Sequence, residues 1–279
     1  MKNAVTKVVV FIVYDSTTIV YIVYTPVTRD LQMYYLREKS LNTEDPVFYK
    51  LRNDCMVFPD DAVVARDFAF QGNYEQSIIE WATTLMDPSK VFVDIGAHVG
   101  TYSMYMASFS SSVVSFECCP KTFNHLCTNI ALRGLDYKIT PYRTALGNET
   151  GVIPYYMHSP KDGGGNSCMS FMGRSSPTIS VPITTLDSFN LDNIGLIKMD
   201  VEGFEKNVLE GGVETLKRNG YPKILFESWR ESRESEGIPA IKLREELFEY
   251  IRQTGYSVIP VRGWDEMFIA ERNTDTTST

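Results

Sequence analysis

Two stretches of the sequence place glycine and acidic residues where buried strands are expected to end. Residues 94–100 read DIGAHVG, and glycines at such a turn let the backbone approach a ligand closely. The helix predicted to follow offers free N–H groups at its first turn. Glu117 ends the next apolar run, about twenty residues further on, where a carboxylate can accept hydrogen bonds from both hydroxyls of a ribose. These residues predict a site for a nucleoside-containing cofactor.

The glycine spacing distinguishes two classes of cofactor. Dinucleotide sites carry GxGxxG, whose extra glycine makes room for a pyrophosphate, whereas Gly96 and Gly100 form only GxxxG. S-adenosyl-L-methionine has no phosphate and needs less room. Asp94, before the first glycine, favours the same cofactor, because its carboxylate can orient the turn and organise water or the cofactor's amino group. Taken alone, the motif also fits a plain strand–glycine–helix turn.

The second stretch, residues 197–205, reads IKMDVEGFE and follows another apolar run. Asp200 ends that run and Glu227 ends the next, and in open α/β sheets ligands bind outside the carboxyl ends of the strands. Carboxylates gathered on one rim favour a cationic ligand such as a sulfonium. They also raise one another's pKa, which suits a general base. Glu202 and Glu205 also fit a helix N-terminus, which is the preferred interpretation for Glu205.

The elements that must position these residues alternate between short apolar runs and helical segments. Such alternation predicts an α/β fold with a mostly parallel sheet and helices on both faces. Between residues 147 and 187 the alternation breaks, and a glycine-rich loop there predicts an insertion over the active face. The predicted strands cover 91–95, 113–117, 137–145, 194–200, 222–227, 256–261 and 266–271, and the helices cover about 99–109, 120–133, 204–218 and 239–254.

The first part of the chain differs from this pattern. Residues 8–24 read VVVFIVYDSTTIVYIVY, which is short and too polar at its centre for a membrane span. Two β-branched strands around a polar turn are the favoured interpretation, and a membrane anchor is the alternative. We therefore predict an N-terminal β-rich extension over 1–60, a main domain over 61–273 and a disordered tail over 274–279.

Composition narrows the class of protein. The 279 residues carry a net charge of −8, which argues against a nucleic-acid partner, because phosphate binding needs a basic surface. The five cysteines include no CxxC and the three histidines include no pair at metal-ligand spacing, so no His/Cys metal site is expected. This cysteine usage predicts a reducing, cytoplasmic location.

The order and spacing of DIGAHVGTYS, SFE, TALGNETG, VPITTLDSF, LIKMDVEGFEKNVLEGG and ILFE resemble the FkbM family of S-adenosylmethionine-dependent methyltransferases. The resemblance covers about residues 70–230. His98 stands where the family usually has Asn, and Cys168 stands where a second Ser is common. The resemblance implies a class I methyltransferase fold, with seven strands of which the last is antiparallel, and three helices on each face. It also implies O-methylation of a sugar, glycan or other small molecule.

Carried onto this chain, the resemblance assigns roles around the cofactor. Glu75 is expected near the methionine amino group, Glu117 at the ribose, and Ala145 with Leu146 at the adenine. Asn166 and Ser167 are expected either to close over the site or to form a flexible connector. The full set of predicted cofactor residues is Glu75, Asp94, Gly96, His98, Gly100, Thr101, Glu117, Ala145, Leu146 and Asp200.

A hydroxyl acceptor needs a base within hydrogen-bond reach. Asp200 is the first candidate, Glu227 the second and His158 an alternative, while the Lys198 ammonium could instead stabilise an alkoxide. A divalent metal held by paired carboxylates is an alternative that we do not favour. The expected partner is a small-molecule or glycan acceptor. The protein itself is expected to be a monomer or a homodimer. A protein- or nucleic-acid-directed methyltransferase and a non-catalytic binding module are the competing hypotheses.

Overall fold

The computed structural model describes residues 7–11, 20–24, 47–51, 54–58, 75–157, 165–170 and 179–272. The first four ranges form two antiparallel pairs, β1 (Lys7–Phe11) with β2 (Val20–Tyr24) and β3 (Val47–Leu51) with β4 (Asp54–Phe58). The pairing of β1 with β2 is the one that the hairpin prediction requires. The predicted tail lies outside the described residues, and the proposed domain boundaries remain predictions.

Ten further strands follow in the described part of the chain. They are β5 (Val91–Ile95), β6 (Ser112–Phe116), β7 (Ile139–Tyr142), β8 (Ala145–Leu146), β9 (Gly151–Tyr155), β10 (Ile179–Thr184), β11 (Ile194–Met199), β12 (Lys223–Glu227), β13 (Ser257–Pro260) and β14 (Met267–Glu271). Seven of them form one sheet in the order β13-β14-β12-β11-β5-β6-β7. β14 runs antiparallel to its neighbours, and the other pairings are parallel. The predicted α/β class and the antiparallel last strand are confirmed.

The helices of the described ranges also follow the predicted order. They are α1 (Gln76–Thr83), α2 (Thr101–Met106), α3 (Pro120–Leu132), α4 (Glu205–Glu210), α5 (Val213–Arg218) and α6 (Ala240–Gln253), with 3-10 turns at Leu186–Phe189 and Glu231–Glu236. The predicted single helix over 204–218 is wrong, because it breaks into α4 and α5 at Gly211. A Cβ on Gly211 would lie 1.9 Å from the Gly147 carbonyl oxygen, so the chain bends where the two backbones touch.

Alternating residues of each strand pack against different helices. Phe92, Leu196 and Leu225 belong to a buried cluster with residues of α1, α2 and α3. The next residues along, such as Val93, Ile197 and Phe226, belong to a second cluster with residues of α4, α5 and α6. Both faces of the sheet are therefore buried, which is why its strands are nearly continuous apolar runs. The expectation of three helices on each face is confirmed.

The predicted strand over 137–145 is instead two strands. β7 ends at Tyr142, and β8 leaves the central sheet to pair in parallel with β10, whose other neighbour is the antiparallel β9. This small sheet is formed by β8 with the two strands of the predicted insertion. None of the helices in the described ranges combines the length and the apolar character needed to cross a bilayer.

Truncating the core is expected to lower stability sharply. Leu225 on β12 is fully buried, so Leu225→Ala is expected to reduce the free energy of unfolding by about 3 kcal/mol, through lost burial and the cavity left behind. Val152→Ala on β9, where the side chain is 73% exposed, should change it by less than about 0.5 kcal/mol. Urea unfolding of both variants measures the difference, and equal losses would contradict this account of the core.

Candidate active site

A cavity of about 140 Å³ opens at the carboxyl ends of β5, β6 and β11. Its wall combines the residues after these strands with residues of the small sheet and of α2. Lys198 also lines it. The predicted cofactor residues in its wall are Glu75, Gly96, His98, Thr101, Glu117, Ala145, Leu146 and Asp200.

Gly96 sits where two strand ends touch. Its φ is +77°, and a Cβ there would lie 1.8 Å from the carbonyl oxygen of Asp200. The Gly96 N–H donates to the Phe116 carbonyl oxygen at 3.0 Å, which ties the same turn to the end of β6. The glycine therefore holds the ends of β5, β6 and β11 together around the cavity.

Glu117 directs its carboxylate at the turn after β5. One oxygen accepts the His98 N–H at 3.0 Å, and the other accepts the Cys119 N–H at 2.8 Å. Burial raises the pKa of Glu117 to about 7, although both backbone donors favour the ionised form. Each carboxylate oxygen has lone pairs to spare for a further donor, which is the property that a ribose-binding residue needs.

Asp94 and Gly100 shape the cavity from outside its wall. Asp94 is completely buried and accepts a hydrogen bond from the Ser103 hydroxyl, which lies 2.7 Å from the Ser115 hydroxyl. Asp94 thus fastens α2 to the sheet beneath the cavity. Gly100, at φ +93°, precedes α2, and a Cβ there would meet a Leu126 methyl at 2.6 Å. Both residues thus support the turn from behind the cavity wall, and their contact with the cofactor stays a prediction.

Lys198 is the cation of the site. Its ammonium lies 3.3 Å from Asp200 Oδ2, 3.3 Å from the Gly96 carbonyl oxygen and 5.0 Å from the centre of the Tyr102 ring. Burial alone would lower the pKa of Lys198, but the carboxylates of Asp200, Asp94 and Glu75 outweigh it and raise that pKa. Lys198 is therefore charged, and Asp200 is its ion-pair partner.

Three carboxylates meet beside this ion pair. One oxygen from each of Asp200, Glu202 and Glu227 lies within 4.8 Å of the others. Burial would raise the pKa of Asp200, but the charge of Lys198 outweighs burial and, with the neighbouring Glu227, holds that pKa below its usual range. Burial and the Asp200 charge raise the pKa of Glu202 to about 8 and that of Glu227 well above its usual range. At neutral pH, Asp200 is the ionised member of the group.

The same oxygens are of the type that divalent cations prefer. Asp200, Glu202 and Glu227 are thus the residues that could hold a metal. The Lys198 ammonium already supplies positive charge next to Asp200. A metal site therefore stays an alternative that we do not favour.

The predicted insertion forms part of the cavity wall through Tyr155, Asn166 and Cys168. Glu202 holds this segment, because its Oε1 accepts the Gly165 N–H at 3.1 Å and its carbonyl oxygen accepts the Ser167 hydroxyl at 2.7 Å. Asn166 therefore lies at the cavity, while the part of this segment in closing over a ligand stays a prediction. His158 lies outside the described residues, so its role as an alternative base remains a prediction.

The model of the methyltransferase FkbM domain matches residues 94–258, which is more than half of the chain. The chain belongs to the FkbM methyltransferase family. The match includes the glycine turn, Glu117 and the acidic group at the end of β11.

Two curated relatives are similar to this FkbM chain. A hexuronic acid methyltransferase of Haloferax volcanii is 27% identical over 143 residues, which are 51% of this chain and 58% of that protein. Methyltransferase 1 of Beauveria bassiana is 25% identical over 142 residues, which are 43% of this chain and 57% of that protein. The chain spans less than three fifths of the length of either relative. Among solved structures, an S-adenosylmethionine-dependent methyltransferase of Aquifex aeolicus is 13% identical, with a TM-score of 0.42 over 71% of this chain and 88% of that one.

The two departures from the usual FkbM pattern both line the cavity. His98 has a φ of +51°, and within the described residues its Nε2 is buried without a hydrogen-bond partner. Burial lowers the pKa of His98 to about 4, so its ring is neutral. Cys168 packs with Cys118 against the buried cluster that contains Tyr155.

Tyr102 is a cavity residue that the sequence analysis missed. It lies on α2, is 4% exposed and donates its hydroxyl hydrogen bond to Glu75 Oε2 at 2.7 Å. In the sequence it is an ordinary apolar position of a short helix. Its partner lies 27 residues earlier, so no local spacing connects the two residues.

Proposed function

We propose that this FkbM protein is an S-adenosylmethionine-dependent O-methyltransferase that acts on a hydroxyl of a sugar, a glycan or another small molecule. The observation that carries the proposal is the position of Asp200. Its ionised carboxylate lies in the same cavity wall as the glycine turn and Glu117, with Oδ2 on Lys198 and Oδ1 without a hydrogen-bond partner among the described residues. A base is thereby held next to the residues suited to a nucleoside.

The residues present fit this cofactor. Gly96 is at a position where a side chain would clash with the Asp200 backbone, so the turn carries no side chain at this point of the cavity wall. The two carboxylate oxygens of Glu117 are oriented by the N–H groups of His98 and Cys119. Glu75 adds a carboxylate that suits an ammonium group. When bound, S-adenosyl-L-methionine supplies a methyl group on a sulfonium, whose sulfur leaves as a neutral thioether.

The protein's own task is alignment and proton removal. The wall residues hold donor and acceptor in line, which removes much of the entropic barrier to displacement. The bound donor would supply the methyl group and leave as a neutral thioether, and Asp200 would accept the proton of the acceptor hydroxyl. Lys198 keeps Asp200 ionised and in place through its 3.3 Å contact.

A sugar acceptor is supported by the relative named as a hexuronic acid methyltransferase. We propose a small-molecule or glycan acceptor rather than a nucleic acid, because the net charge of −8 opposes phosphate binding. Protein-directed methylation and a non-catalytic binding role are the alternatives. The protein is incubated with labelled donor and a panel of uronic, neutral and amino sugars, and transfer of label to a sugar is measured. Transfer to one of these sugars would favour the proposal over both alternatives.

The first test is calorimetric titration of S-adenosylmethionine and S-adenosylhomocysteine. We expect Glu117→Ala to weaken both by about a hundredfold, because two hydrogen bonds to a charged acceptor are lost. Glu149→Ala removes the same charge from an exposed position and should bind like wild type. Absence of binding to the wild-type protein would overturn the proposal.

The same titration has a pH dependence with a defined sign. Ribose hydroxyls donate to the ionised carboxylate, and the pKa of Glu117 is about 7, so affinity should increase as pH rises through 7 and then level off. Glu117→Gln cannot ionise and should lose this part of the dependence. The difference between the two profiles isolates Glu117 from Glu202 and Glu205, whose pKa values burial also raises, to about 8 and about 7.

A further inference from the structure

We propose that Tyr102 is a positioning residue that couples the cofactor end of the cavity to its base end. Its hydroxyl holds Glu75 and its ring supports Lys198, which in turn holds Asp200. The inference rests on the proposed function and assigns to one buried side chain the alignment of two charged groups.

The first half of the argument is the Glu75 contact. Glu75 precedes α1 with a φ of +52°, and its carbonyl oxygen accepts the N–H groups of Ile78 and Ile79, so its backbone is fixed at the start of that helix. Its side chain reaches across to α2, where the Tyr102 hydroxyl donates to Oε2 at 2.7 Å. Both residues line the cavity. A carboxylate held in this way is oriented before any ligand arrives.

The second half is the Lys198 contact. The Lys198 ammonium is 5.0 Å from the centre of the Tyr102 ring and also meets Asp200 and the Gly96 carbonyl oxygen. A cation over an aromatic face is attracted by the negative π surface, and the attraction is stronger where water is excluded. Lys198 is 4% exposed, so the ring is part of the environment that fixes the ammonium against Asp200.

The hydroxyl and the ring therefore have separable effects. Tyr102→Phe removes the hydroxyl and keeps the ring, whereas Tyr102→Leu removes both. We expect Tyr102→Phe to weaken S-adenosylmethionine binding about fivefold, through loss of a hydrogen bond to a charged group. Binding of 5′-methylthioadenosine, which lacks the amino acid end, should stay unchanged, because Glu75 is expected to face the methionine ammonium.

Tyr102→Leu is expected to add an effect on catalysis. Without the ring, Lys198 is less constrained and holds Asp200 less firmly through their 3.3 Å contact, so kcat at saturating donor should fall about tenfold. Tyr102→Phe keeps the ring and should show a clearly smaller loss of kcat. An equal loss of kcat in both variants would contradict the role of the ring.

Glu75→Gln provides the independent check. If Tyr102 acts through Glu75, the double variant Tyr102→Phe/Glu75→Gln should bind S-adenosylmethionine no more weakly than Glu75→Gln alone. Equal loss of both ligands in Tyr102→Phe, or additive losses in the double variant, would overturn the inference. A wild-type protein that binds neither ligand would instead overturn the proposed function, so the two failures are distinguishable.

Discussion

Asp200→Asn is expected to lower kcat by about 10²- to 10⁴-fold, which is the usual contribution of a positioned general base. The amide has nearly the size of the carboxylate but cannot accept the acceptor's proton. Affinity for the donor should fall much less, because Glu117 and the glycine turn remain. Initial rates with saturating donor, measured beside calorimetric titration, separate the two effects. A loss confined to donor binding would show that Asp200 is not the base.

Glu227→Gln is the matched variant for this test. The pKa of Glu227 is raised well above its usual range by burial and by Asp200, so at neutral pH it is protonated and can donate to Asp200. A glutamine imitates that neutral donor, and kcat should stay close to that of wild type. A loss as large as that of Asp200→Asn would assign the base to Glu227 instead. Since the pKa of Asp200 is lowered, wild-type kcat should stay level through neutral pH and fall only in acid.

Gly96→Ala is expected to abolish cofactor binding and to lower the free energy of unfolding by about 3 kcal/mol or more. A Cβ at this position would lie 1.8 Å from the Asp200 carbonyl oxygen, which belongs to backbone and cannot swing aside as a side chain would. β5 and β11 must therefore separate at the end that forms the cavity. Thermal unfolding and donor titration of the same preparation measure both effects.

A second glycine variant separates two causes of the stability loss in Gly96→Ala, the strain of a positive φ and the clash of the Cβ. Gly263 also has a positive φ, of +88°, but a Cβ there would meet nothing within 4 Å. Gly263→Ala should lose only about 1–2 kcal/mol, the strain of a left-handed alanine, and should bind the donor normally. If the two variants behaved alike, the contact between Gly96 and Asp200 would have no special importance.

Residues at strand ends were the most predictable part of the site. Glu117 and Asp200 each follow an apolar run, and parallel strands bring their carboxyl ends to one edge, so the sequence alone predicts the position of the cavity. Lys198 and Asp200 are two residues apart, and in an extended segment they share a side, as their 3.3 Å contact confirms. The positions of Glu117, Lys198 and Asp200 in the site therefore follow from the pattern of apolar residues in the sequence.

Contacts between distant elements were not predictable in the same way. Asp94 lies one residue before the end of β5, but its carboxylate accepts a hydrogen bond from Ser103 on α2, whose hydroxyl lies 2.7 Å from that of Ser115 on β6. Glu202 adopts a φ of +56° and holds the segment around Gly165, whereas its sequence position suggested the sheet edge or a helix N-terminus. Tertiary packing decides such contacts, and no spacing within one element encodes them.

The two-residue strand β8 restricts where the segment 147–187 can be exchanged between two members of the family. Ala145 and Leu146 both line the cavity, and they pair with Ile183 and Thr184 of β10. A graft of the whole segment 147–187 would therefore replace the strand that aligns two wall residues of the recipient. Junctions placed inside the segment, after Tyr155 and before Ile179, keep β8, β9 and β10 as a native unit and exchange only residues 156–178.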